Sequence, residues 1–158
     1  MKTLMGVLIA AAWLLASCAD QVHVLSDVPP TKTSDGKYEC VLKAGEACQI
    51  DIDVSGGTCA AVQVEVKVPQ DKYIHWKLKN AKGDWKFDKK GIDFTTQQPG
   101  KTMNARAGQA FDDAKGEGTP QDQWHVKSTA PAGEYYAYTV RLIDPNGKPC
   151  VVDPGIWV

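Results

Sequence analysis

Apolar residues in this chain recur at every second position, in short runs cut by turn residues, and that spacing restricts it to β-structure. Ile50, Ile52 and Val54 alternate with Gln49, Asp51 and Asp53. After Ser55-Gly56-Gly57, Val62, Val64, Val66 and Val68 alternate with Gln63, Glu65 and Lys67 until Pro69, which cannot donate to a ladder. Ile74, Trp76 and Leu78 alternate with His75, Lys77 and Lys79; Trp85, Phe87, Ile92 and Phe94 follow. Trp124 and Val126 flank His125, and Tyr136, Tyr138, Val140 and Leu142 make the cleanest late run before Asp144-Pro145-Asn146-Gly147 turns the chain toward Ile156 and Val158. About seven or eight short strands, each with one apolar and one polar face, predict an all-β, antiparallel sandwich of the Ig-like or cupredoxin-like kind. A barrel is the alternative.

One stretch departs from the period of two. Between Thr95 and Gln123, Met103, Ala107, Ala110, Phe111 and Ala114 fall at helical spacing. One short amphipathic helix and an irregular crossover pinned by Phe111 are equally good readings, because Gly100, Gly108, Gly116 and Gly118 oppose anything long. Long loops on a rigid sandwich tend to carry function, so Phe111 joins the candidate binding residues.

The N-terminal segment reads as an address. Lys2 precedes an uncharged apolar run from Leu4 to Leu15, too short to cross a bilayer as a helix. The run closes in Leu15-Ala16-Ser17-Cys18, which resembles the bacterial lipobox: a branched apolar residue, two small ones and a cysteine. The resemblance covers these four residues. It implies a signal peptide over 1–17, cleavage before Cys18 and acylation of its thiol, with palmitate among the chains. Two or more chains give lasting attachment where one does not. Ala19, standing where an aspartate would favour the inner membrane, points to an outer-membrane lipoprotein of the cell envelope, facing the periplasm or the outside. Residues 18–36, with Pro29, Pro30 and Gly36 and little periodicity, are expected to be a flexible tether, and 37–158 the folded domain.

Cys40, Cys48, Cys59 and Cys150 are an even set, which in an exported chain reads as disulfides. Three connectivities are open. The favoured one joins Cys40 to Cys48 across a hairpin and Cys59 to Cys150 between an early strand and the end of the chain. A metal site is not expected of these cysteines, since no close C-x-x-C pair or suitably spaced histidine exists. The domain also resembles uncharacterised bacterial β-sandwich domains in Phe87 with Gly91-Ile92-Asp93-Phe94, in Gly133 with Tyr136, Tyr138 and Val140, and in Asp153-Pro154-Gly155-Ile156. These matches span about half the domain and imply fold, not activity.

Formal net charge is −1, or −2 once Lys2 leaves with the signal, and lysines and acids are interspersed. Nothing in that balance recommends nucleic acid as a partner. The three histidines are His23, in the tether, and His75 and His125, which alternation aims at polar faces. If their strands were neighbours the latter two could share a metal; the expectation is two exposed strand histidines, with no metal and no cofactor assigned. No Gly-x-Ser-x-Gly elbow or phosphate loop occurs, and Asp51, Asp53, Asp112 and Asp113 read as solvated acids. Trp76, Trp85 and Trp124 share the phase of their strands' core residues, whereas Tyr135 and Trp157 are the aromatics expected at the surface. The functional expectation is a membrane-anchored, non-catalytic accessory module with a protein partner in the envelope. The alternatives are a small periplasmic inhibitor or immunity lipoprotein, and a hydrolase using His75 or His125 with a carboxylate.

Overall fold

The alternating runs become strands that fold around one shared core. A computed structural model describes residues 25–94, 110–117 and 122–158. Cys18, His23, Met103 and Ala107 lie outside the described residues. The first sheet runs β1 (Ser26–Val28), β4 (Glu46–Asp53), β7 (Tyr73–Lys79), β10 (Gln123–Ser128) and β9 (Phe111–Glu117), with β5 (Ala60–Ala61) beside β4. The second runs β11 (Tyr135–Ala137), β14 (Gly155–Trp157), β6 (Glu65–Lys67), β3 (Tyr38–Glu39) and β2 (Thr31–Lys32). A third holds β13 (Pro149–Val152), β12 (Thr139–Ile143) and β8 (Lys86–Asp93).

The all-β, sandwich-like reading holds. The ladders, however, are mixed: β1 with β4, β4 with β7, β3 with β6 and β6 with β14 are parallel, and the hairpin-type pairs are antiparallel. Parallel neighbours require long returns of the chain, and those returns carry it from sheet to sheet.

Ile50, Ile52, Ile74, Trp76 and Val126 of the first sheet meet Val66, Tyr136 and Ile156 of the second, and Phe87, Val140 and Leu142 of the third. Two contacts set the spacing inside. Trp76 Nε1 donates to Tyr138 Oη at 3.0 Å, both fully buried, so a polar pair closes within the aromatic core. Trp124 packs on the backbone of Gly91, where a Cβ would come within 2.5 Å of the indole. Only glycine lets β8 approach that ring.

The disulfides are Cys40–Cys48 and Cys59–Cys150, with Cα separations of 5.8 and 6.2 Å. The first is not contained in one hairpin. Cys40 follows β3 of the second sheet and Cys48 lies on β4 of the first. The second bridge runs from the turn before β5 to β13 of the third sheet.

Four expectations change. Residues 26–32, placed in the tether, contribute two strands, because β1 completes the edge beside β4 and Val28 aligns with Cys48. Phe111 and Ala114, placed at helical spacing, lie on a strand that supplies β10 with its outer ladder partner. Phe111 stacks flat on Phe94 with ring centres 3.7 Å apart. Val62 and Val64 are 44% and 60% exposed rather than inward with Val66 and Val68. The chain bends at 62–64, and Gln63 turns in to accept the Asp51 backbone N–H at 3.1 Å. Asp51, read as solvated, is 1% exposed.

Closing a long loop restricts the unfolded chain more than closing a short one. With sequence separations of 91 and 8, replacing Cys59 and Cys150 together by serine should lower the unfolding free energy by about 4–5 kcal/mol, and replacing Cys40 and Cys48 by about 2–3 kcal/mol. Guanidinium titrations compare the two; equal losses would show that loop length is not what the bridges act through. Tyr138→Phe should cost about 1–3 kcal/mol by stranding the Trp76 N–H. Tyr136→Phe, whose hydroxyl meets the Glu134 carboxylate nearer the surface, should cost less.

Candidate functional site

Register in the second sheet builds a surface. Glu39 pairs with Lys67, Lys67 with Trp157 and Trp157 with Tyr135, so one row across four strands shares one face. The neighbouring row, Tyr38, Val66, Ile156 and Tyr136, points inward. Alternation therefore drives an acid, a base and two aromatics to the outside together.

Trp157 is 42% exposed. Its ring centre lies 4.9 Å from that of Tyr135, which is half-buried. Tyr135 lies across Gly155, where a Cβ would fall 2.1 Å from its hydroxyl, and that hydroxyl reaches Glu65 at 3.5 Å. Lys67 Nζ meets Glu39 Oε1 at 2.8 Å. Beside this platform runs a groove of about 630 Å³ lined by Trp157, Glu39, Lys67, Glu65, Pro69 and Gly133 among others. Asp35 adds to its rim; the Thr33 hydroxyl bonded to its carboxylate at 2.5 Å holds it below the usual carboxylate range. The groove thus combines aromatic area with charges of both signs.

The second arrangement lies on the first sheet. His125 pairs directly with His75 across the antiparallel β7–β10 ladder. The ring centres are 5.9 Å apart. The expected exposure is overturned: His75 is 9% and His125 2% exposed. Asp27 sits at the register of Ala47, whose small side chain leaves its carboxylate free to reach over β4. There His75 Nδ1–H donates to Asp27 Oδ1 at 2.6 Å, and Lys77 Nζ meets the other oxygen. Further along the face Asp51 takes Gln49 Nε2 at 2.7 Å and Lys79 Nζ at 2.6 Å. These pairs engage the two carboxylates of the polar face, Asp27 and Asp51.

Of the residues singled out from sequence, Tyr135 and Trp157 come together on one face, and His75 and His125 on another. Phe111 joins neither; it is packed against Phe94 and Tyr136 at the core margin. Cys40, Cys48, Cys59 and Cys150 are structural bridges. Asp27, Glu65 and Gly155 were not singled out; the Asp-Pro-Gly-Ile segment was the only signal at Gly155, and no local pattern marks Asp27. His75 and Asp27 have the geometry of a base and its orienting acid, but His75 Nε2 makes no hydrogen bond, so no hydroxyl or thiol of the described residues is engaged as a nucleophile. Burial pushes the Tyr138 phenol upward despite the Trp76 donor, which keeps that hydroxyl a neutral core acceptor. No protein-family model matches the chain, and the curated proteins contain no match to it.

Gly155→Ala should displace the Tyr135 ring, the flexible end of an edge side chain, at a cost of about 1 kcal/mol or less. The expected reading is a shift in Trp157 emission with the unfolding midpoint nearly unchanged. A collapse in stability would instead assign Gly155 to the core.

Proposed function

We propose that this chain is a membrane-anchored, non-catalytic accessory module of the bacterial cell envelope, held by lipid on Cys18 and binding a protein partner through its Tyr135–Trp157 face. The observation that carries this reading is the platform beside its groove: two aromatic rings in register, one substantially exposed, bordered by Glu39, Glu65 and Lys67. Tyrosine and tryptophan present large rigid area at low entropic cost and dominate the energetics of protein interfaces. Charges of both signs around them favour a partner with a complementary rim and set register more than affinity. The lipobox and Ala19 support anchorage in the outer membrane, and the two disulfides suit an oxidising compartment. Inhibition of an envelope enzyme is one form that such binding takes.

A hydrolase is the second reading, and the His75–Asp27 contact is what favours it. It requires a nucleophile or activated water at His75 Nε2 and a substrate path to that atom.

The test is mild crosslinking and pull-down of the intact protein from native membranes, with Cys18→Ser and Trp157→Ala compared. The expected outcome is palmitate incorporation and membrane recovery lost only in Cys18→Ser. A specific protein partner should be retained by wild type and weakened at least tenfold in Trp157→Ala. A partner held equally well by Trp157→Ala would sink the proposed face, and hydrolytic activity abolished by His75→Ala would replace the non-catalytic reading.

A further inference from the structure

We infer that His75 and His125 form a binding site for a divalent transition-metal ion of the zinc and copper class. The inference is independent of the proposed partner face, which lies on another sheet. Directly opposed residues of an antiparallel pair project side by side from one face. Here both are imidazoles, with ring centres 5.9 Å apart and planes inclined at 57°. An imidazole nitrogen sits about 2.0–2.1 Å from a bound zinc ion, which places two rings sharing one ion with centres about 5–6 Å apart. The pair stands near that spacing with no strand movement.

His75 is also prepared electronically. Its Nδ1–H donates to Asp27, which in the neutral ring leaves the lone pair on Nε2 and fixes the orientation of the imidazole. Lys77 and Lys79 are engaged by Asp27 and Asp51, which offsets positive charge that would oppose a cation nearby. The decisive observation is Nε2 itself. It is inaccessible to solvent and has no hydrogen-bond partner among the described residues. A buried polar atom left unmatched is costly, and a lone-pair nitrogen of this kind is matched by a donor, a water or a metal. The facing His125 imidazole supplies the second ligand that a metal needs.

Two imidazoles select zinc, copper or nickel over calcium or magnesium, which require oxygen ligands. Among the described residues no group of three histidine, cysteine or acidic side chains converges on an ion. Among those residues the two imidazoles are the ligands the site supplies.

Calorimetric titration with Zn²⁺ alone tests this in the exported chain carrying Cys18→Ser and His23→Ala, which removes competing ligands from the N-terminal segment. One ion per chain is expected. His75→Ala and His125→Ala should each weaken binding at least tenfold, and Asp27→Asn about 10–100-fold, as losses of outer-shell partners do. His75→Gln retains side-chain volume should the alanine variant not fold. Ring-nitrogen NMR of the unsubstituted pair supplies a readout independent of any variant: Zn²⁺ should shift the His75 Nε2 resonance. Absence of both heat and shift would overturn the site, as would Zn²⁺ binding that survives in both His75→Ala and His125→Ala.

Discussion

Both disulfides leave the first sheet, one for each of the other two. Cys48 on β4 holds the second sheet through Cys40, and Cys59 beside β5 holds the third through Cys150. With strands as short as two and three residues in the second sheet, ladder hydrogen bonds alone would leave weak elements; three-residue strands gain stability mainly by packing. The bridges tie together the sheets whose apolar faces, Val66, Tyr136 and Ile156 with Ile50, Ile74 and Trp76, share one core. The outer row of the second sheet depends on the same constraint, because Trp157 points outward only while Ile156 is held inward.

The polar face of the first sheet is a different kind of problem. Asp51, His75 and His125 are removed from water, and a buried ionisable group persists only when paired. Asp27 meets this need for His75 and also engages Lys77, while Lys79 and Gln49 meet it for Asp51. Such pairs are costly to form and more costly to break singly, so they specify which strands lie beside one another more than they add net stability. β1 illustrates this. Three residues with little apolar content find their place because one carboxylate reaches two side chains on β7.

Much of the core was legible in the sequence, and for a definite reason. Tyr136, Tyr138, Val140 and Leu142 are all buried, as are Trp76 and Trp124, because period-two alternation reports the face directly. The outward setting of Trp157 could be read the same way. What alternation does not report is whether the polar face is wet: His75 and His125 lie on the face it indicates, yet both are buried. Nor does it report a change of phase: the bend at Gln63 reverses Val62 and Val64 relative to Val66. β1 carries no period at all, and its stabilising partner is 48 residues away. The Tyr135–Trp157 platform required the register between the end of the chain and β11, a non-local quantity that no window of sequence contains.

The position of β14 has a bearing on when the molecule can exist as a folded body. Residues 155–157 are not an edge of the second sheet but its interior, between β11 and β6. Without them β6 loses one neighbour and β11 loses the only one it has in that sheet among the described residues. Non-local pairing of this kind is slow, since the chain must be brought together before the contacts reward it. The second sheet is therefore complete only when the strand at 155–157 is paired on both of its sides, so β11 and β6, far apart in the chain, close or open together.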